Sequence, residues 1–493
     1  MSRCAILFLA GALLASAHPN YNVESIPTPP TKHETKQIDG MVFLPDGRLA
    51  VCQPSGEIFF YDTAAKTWHL FAEGLHNPLG IIAESNSSVI VCQRPELTRV
   101  SDTDGNGVAD FYEVLTDQFG MSGNYHEFNF TPTRDAAGDI YFGLGTGSSG
   151  NGVRAIVRGK FDERGRPGRM HASTPYRGWV LKYSKNGQTI PWASGFRTPN
   201  GVGFDCHGNL FVSDNQGDWL GTSKLFHVKQ GRFYGHVTSL AWEPKFEGTP
   251  LKTPAAKLDA LRTRACVLFP HGIMANSPTQ PICDTTGGKF GPFAGQLLVG
   301  EMNKPRVMRV LLEEIGGELQ GAAIPFLDGN GLTGGCARFA FAPDGALWVG
   351  HTKHTWAGGE GLHRVSWNGE TGFDITAMNL TETGFRFTFT KPVDPAIANS
   401  AKTWPCKRYW YRYHKAYGSK QYDVTNVDVA AVHVADDGLS VDIDLSELKA
   451  WNIHEFKINA LKAEDGTPLA SNLICYTLNR LLGETPPPPK QHE

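Results

Sequence analysis

Apolar residues along most of this chain fall in runs of four or five, each bounded by a polar turn, and the arrangement keeps returning. Met41–Cys52 gives two such runs around the turn Asp46-Gly47, followed by Glu57–Tyr61 and the alternating stretch Thr67–Phe71. Short runs with period-two alternation and Gly or Pro at their ends predict β-strands, because a helix needs a longer segment and a 3.6-residue period. Equivalent turns at Ser88, Gly138, Gly208, Gly295 and Asp344-Gly345 precede Val89–Cys92, Asp139–Phe142, Asn209–Val212, Gln296–Val299 and Ala346–Val349. Units of roughly 40 to 50 residues, each worth about four strands, are the signature of propeller blades. The chain is therefore expected to be all-β, with a six-bladed β-propeller over residues 38–370. Two longer spacings, 150–177 and 232–273, are rich in Gly, Pro and basic residues and read as insertions looping out of a blade.

From residue 371 the pattern changes. Phe373–Leu380, Gly384–Thr390, Leu439–Leu445 and His454–Ala460 alternate without the blade turns, which predicts a small C-terminal β-sandwich over 371–484. Residues 18–37, rich in Pro and Thr, read as an extended surface segment, and 485–493 as a disordered tail. Arg3, the apolar run Ala5–Ala15 and the small residues Ala15-Ser16-Ala17 read as a signal peptide over 1–17, which implies export to a periplasmic or extracellular location. No later stretch is apolar enough to span a bilayer as a helix. Eight cysteines follow that segment, and an oxidising compartment permits disulfides among them. Cys406 and Cys475, alone together in the C-terminal region, are the favoured pair.

Composition narrows the partners. A net charge of −3 with interspersed signs argues against a nucleic-acid partner, which needs a basic stripe. The 55 glycines and 11% aromatic content fit a turn-rich β protein.

Three constellations could carry chemistry. In the stretch 102–113, Asp102, Asp104, Asn106, the Val108 carbonyl, Asp110 and Glu113 occupy the first, third, fifth, seventh, ninth and twelfth places of a calcium loop, with Gly107 at the sharp turn. The flanks look like strand, so a structural ion is expected there. His126 lies just ahead of the third blade, where the chain opens at the mouth of a propeller channel, and is a candidate general base. Arg197 stands at the equivalent place before the fourth blade, as a fixed cation suited to carboxylate or quinone oxygens. Gln53, Lys304, Arg306 and Arg338 come from the matching ends of other blades and are expected to join it around an anionic, planar or polyhydroxylated ligand.

At these residues the chain resembles the soluble quinoprotein glucose/sorbosone dehydrogenases, six-bladed exported propellers that use pyrroloquinoline quinone and calcium to oxidise aldoses. The likeness rests on His126 followed by a strand, an Asp/Gly turn and a strand, and on the segment Gly195–Gly201 carrying Arg197. It is closer still to exported membrane-bound-dehydrogenase-like propellers of planctomycetes and verrucomicrobia, which share the acidic loop, the Arg-bearing segment and an element similar to Tyr234–Leu240. The resemblance implies His126 as base, Arg197 on the quinone, a sugar, polyol or related alcohol as substrate, and an external electron acceptor. Tyr125 and Thr198 depart from the family's Asp and Asn. The alternatives are a non-enzymatic propeller that binds a glycan or cell surface, with the sandwich as accessory module, and a hydrolase or lactonase propeller.

Overall fold

The computed structural model describes residues 18–149, 155–166, 169–353 and 357–483. The expected signal segment 1–17 and tail 485–493 lie outside the described residues.

Six four-stranded antiparallel units follow one another along the chain. Blade 1 runs in order from Gly40–Phe43 to Thr67–Ala72, and blade 2 from Ile81–Ala83 to Phe111–Thr116. The innermost strands of blades 3 to 6 are Asn129–Arg134, Gly201–Phe204, Pro278–Cys283 and Cys336–Phe341. Apolar faces of neighbouring blades pack on each other; Val51 and Leu49 of blade 1, for example, meet Trp348 and Ala340 of blade 6. Residues 336–367 supply only three strands of blade 6 before the chain leaves the propeller. Tyr21–Ile26 pairs antiparallel with Gly361–Trp367 and supplies the fourth. This corrects the expectation of a surface segment: the N-terminal strand closes the ring, because an uncovered outer edge would leave its backbone groups unpaired.

Beyond residue 370 two sheets face each other. Ile375–Leu380, Gly384–Phe389, Ser440–Leu445 and Val429–Val434 form one. Leu473–Leu478, Asn452–Lys457, Cys406–Tyr411 and Gln421–Val427 form the other. Phe385, Phe387, Trp404 and Phe456 fill the space between them. The second sheet is also hydrogen-bonded to blade 5, with Gly321 opposite Thr477 and Ala323 opposite Cys475, so one eight-stranded sheet runs through both regions.

The disulfide is elsewhere than expected. Cys206 and Cys283 are bonded, with Cα atoms 5.8 Å apart, and tie blade 4 to blade 5. Cys406 and Cys475 are free and buried. They sit on strands either side of Asn452–Lys457, opposite Phe456 and Glu455 respectively. Two strand spacings, roughly 9.5 Å, exceed the reach of a disulfide.

Candidate functional site

One device recurs at the face of the propeller where the inner strands begin. The second strand of a blade ends there, and in five of six blades its last position or the one just after it carries a polar side chain: Gln53, Gln93, Asp214, Glu301 and His351. Each holds the loop leading into its own blade. Gln53 Nε2 donates to the Gln37 carbonyl at 3.2 Å, and Gln93 Oε1 accepts from the His76 N–H at 2.6 Å. Asp214 accepts from the N–H groups of Arg197 (3.0 Å) and Thr198 (2.7 Å), and Glu301 does the same for Asn276 (2.9 Å) and Ser277 (2.8 Å). The His351 ring pairs through Nδ1 with the Gly334 carbonyl at 3.0 Å. Buried loop amides need such partners. Gln53, expected on the ligand, is a wholly buried brace instead. Blade 3 has Leu144 in this place, and its loop is held by Asn124, whose Oδ1 accepts from the N–H groups of His126 and Ser148, both at 3.0 Å.

His126 is thereby fixed in backbone and in ring. Its Nδ1 lies 2.8 Å from the Thr146 carbonyl, an acceptor only, so Nδ1 carries the proton and Nε2 is the basic nitrogen. Burial, and then the Arg197 cation, push the imidazole down to about 3, so it is neutral near pH 7.

Arg197 is 7% exposed and packs against Gly217, where a Cβ would lie 2.2 Å from its Nε. Only glycine leaves room for that side chain. Nη1 reaches Thr198 Oγ1 at 3.2 Å, while Nε has no hydrogen-bond acceptor and stands 3.7 Å from Asp218 Oδ1. Burial would raise the Asp218 carboxyl, but the bond from His236 and the charges of His236 and Arg197 outweigh it and hold the group at about 2. The segment Tyr234–Leu240 is the buttress behind it. His236 Nε2 lies 3.3 Å from Asp218 Oδ2, Thr238 Oγ1 lies 3.1 Å from its Nδ1, and Ser239 Oγ bonds its carbonyl at 2.9 Å.

His126 and Arg197 open onto one cavity of about 430 Å³. Blade 3 adds Tyr125 and Arg169, blade 4 Asn215 and Gln216, blade 5 His271, Asn276, Ser277 and Asn303, and the C-terminal sandwich Tyr417. Among the described residues no Asp or Glu lines it. Two guanidiniums with no carboxylate among the described lining residues suit an anion. Arg169, His271 and Tyr417 escaped the sequence reading. His271 could have been found, since it precedes the inner strand of blade 5 as His126 precedes that of blade 3. Tyr417 arrives from another region and left no local signal.

Arg338, Lys304 and Arg306 do not line the cavity. Arg338 is buried at the hub of the ring, and its guanidinium donates to the carbonyls of Asp39 (2.7 Å), Leu79 (3.2 Å), Asn200 (3.0 Å) and Ala337 (2.9 Å). These carbonyls come from the starts of inner strands in four blades, so a cation there plugs the channel. Lys304 and Arg306 bond the carbonyls of Gly272, Ile273 and Met274, and so hold the loop that carries His271.

The acidic loop does not gather a calcium shell. Asp102 accepts from the Gly105 and Gly107 N–H groups (2.7 and 2.9 Å), and Asp110 from Thr103 N–H and Oγ1 (2.8 and 2.7 Å). Asp104 accepts from Asn106, and Asn106 from the Val108 N–H. Glu113 is absent from the set. Phe111–Thr116 is a strand, which sets Glu113 directly opposite Arg99, and the two form an ion pair. A helical exit would return the twelfth residue to the loop; a strand exit aims it at its cross-strand neighbour. Among the described residues, no three His, Cys, Asp or Glu side chains are grouped to hold a metal ion. Asp102 N–H bonds the Ser87 carbonyl, in the turn between the first two strands of blade 2, so the loop lies at the end of the blade away from the cavity.

In fold the chain is a six-bladed propeller. It is similar to the quinone (PQQ) domain of pyranose dehydrogenase from Coprinopsis cinerea, with 13% identity over 71% of this chain and 96% of that one, at a TM-score of 0.50. A PQQ-bound aldose sugar dehydrogenase from Streptomyces coelicolor matches with 16% identity, 71% and 100% coverage and a TM-score of 0.45. A Trichoderma reesei protein of carbohydrate-active enzyme family AA12 matches with 11% identity, 71% and 97% coverage and a TM-score of 0.48. By sequence, residues 45–351 match the family described as a domain of unknown function (DUF7133), and the chain belongs to that family. No curated protein matches it. Among the described residues no helix is long and apolar enough to cross a membrane.

Proposed function

We propose that the protein is an exported oxidoreductase that binds a pyrroloquinoline quinone at the propeller mouth and oxidises a sugar or related alcohol there. The observation that carries this reading is the meeting of His126, Arg169 and Arg197 around one cavity with no carboxylate among the described residues that line it. A planar tricarboxylate suits that donor set, with Arg197 and Arg169 as counter-ions and the Asn and Gln side chains as partners for its carbonyls. When bound, the quinone supplies a two-electron acceptor for the hydride leaving the substrate carbon, and an external acceptor reoxidises it. His126 Nε2 takes the hydroxyl proton, with Thr146 holding the ring in the required tautomer. The acidic loop 102–113 has no part in this step, because it lies at the end of its blade away from the cavity.

One observation favours a second reading. A histidine held at about 3 is a weak base at neutral pH, which suits a propeller that binds an anionic glycan without turning it over. Reconstitution separates the two. Protein supplied with the quinone, an aldose and an artificial acceptor should reduce the acceptor, and His126→Ala should lower turnover by about 100-fold or more while keeping quinone affinity. Quinone binding without turnover on any aldose or alcohol would leave the binding reading; no quinone binding would sink the oxidoreductase.

A further inference from the structure

The C-terminal sandwich reaches the propeller mouth through its segment 412–420. His414–Tyr417 adds a strand against Asp218–Trp219, with Tyr417 opposite Asp218 and His414 opposite Trp219. The Gly418 N–H bonds the Gly217 carbonyl at 3.0 Å, and Tyr413 OH bonds the Gly235 carbonyl at 2.6 Å. Gly217 is the residue on which Arg197 packs, and Gly235 precedes His236, which holds Asp218. Trp219 is a non-glycine residue at φ +73, a left-handed conformation that persists only where its surroundings impose it. Pairing with His414 and a ring contact to Tyr413 at 5.4 Å impose it here.

Tyr417 completes the arrangement. Its ring lies 4.1 Å from the Arg169 guanidinium and 5.5 Å from that of Arg197, although Arg169 comes from a blade 3 insertion and Arg197 from blade 4. Two like charges brought to one cavity repel, and an aromatic face near both offsets part of that. The residue is still 48% exposed, so its ring borders the cavity instead of filling a core.

We propose that Tyr417 is a ligand-positioning residue of the mouth site: it holds Arg169 and Arg197 side by side as a two-pronged receptor for a compound bearing two or more carboxylates. The sandwich is thereby a wall of the binding site. This rests on the reading of the cavity as an anion site, and deepens it by assigning the receptor.

The test uses the full chain with two probes, pyrroloquinoline quinone and citrate, titrated calorimetrically against wild type, Tyr417→Leu and Tyr417→Phe. Loss of two cation–π contacts should weaken both probes about 5- to 30-fold in Tyr417→Leu, and Tyr417→Phe, which keeps the ring, should stay within about twofold of wild type. The melting temperature should be unchanged in both variants, which separates binding from folding. Tyr417→Leu binding citrate as tightly as wild type would overturn the inference, as would wild type that binds neither probe. Wild type that binds citrate and not the quinone would overturn the quinone reading while the receptor stands.

Discussion

Arg338 and Arg197 stand at comparable ends of blades 6 and 4, both nearly or wholly buried, and they do opposite things. Arg338 at the hub has a protein oxygen for each of its three nitrogens, those of Asp39, Leu79, Ala337 and Asn200. Arg197 at the mouth keeps an Nε without an acceptor and borders a cavity. A buried cation saturated by carbonyls is a fastening, because each bond it makes satisfies a group that water cannot reach. A buried cation left partly unsatisfied beside open space is ready for a ligand. Residue type is the same in the two cases, but Arg338 lies within its inner strand and Arg197 in the loop ahead of its own; the count of satisfied donors is what separates their roles.

The sharpest way to break this contrast is Arg338→Leu. It strips buried carbonyls in several blades of their partner, and should cost about 4 kcal/mol or more, read as a collapse of the thermal or denaturant midpoint. Arg197→Gln should do the reverse, with stability within about 1 kcal/mol of wild type and anion affinity lowered roughly 10- to 100-fold. Equal stability losses in the two variants would erase the distinction between fastening and receptor.

Acid probes both places at once. His126 at the mouth and His351 in the blade 6 brace are each pushed down to about 3, chiefly by burial, as is His454 in the sandwich. The unfolded chain takes up protons below about pH 6.5, whereas the folded one does not until about 3, so stability falls as pH drops through that window. Each such histidine contributes a slope of about 1.4 kcal/mol per pH unit. Denaturation series at stepped pH should show His126→Gln and His351→Gln each flattening the slope by up to one proton, and an unchanged slope would mean those rings are not held neutral by the fold.

The smallest effect is expected from calcium. Chelation, or Asp102→Asn, should change affinity at the mouth by less than about twofold, since the acidic loop sits at the other end of its blade. A larger change in the quinone titration would join two regions that the fold keeps apart.

The repeat of short apolar strands and glycine turns made the six blades legible, because period-two burial and turn chemistry are local properties of a strand. His126 and Arg197 could be placed for the same reason: both lie in the loop just ahead of an inner strand. Gln53, Lys304, Arg306 and Arg338 come from the same face of the propeller but hold backbone carbonyls instead of a cavity, since a sequence does not show which carbonyl a side chain will meet. Glu113 fitted a calcium spacing that presupposes a helix, and the strand register turned it to Arg99. The Cys406 and Cys475 pairing failed on strand order alone.

By itself, then, the sequence determined the architecture of the propeller and that His126 and Arg197 lie ahead of inner strands at one face of it, because those follow from periodicity and from position in a repeat. Only the tertiary structure decided which cations are fastenings and which border the open cavity, that the N-terminal strand closes blade 6, and that Tyr417 belongs to the mouth. Those outcomes depend on contacts between residues hundreds of positions apart, where hydrogen-bond satisfaction and close packing rule, and no local pattern carries them.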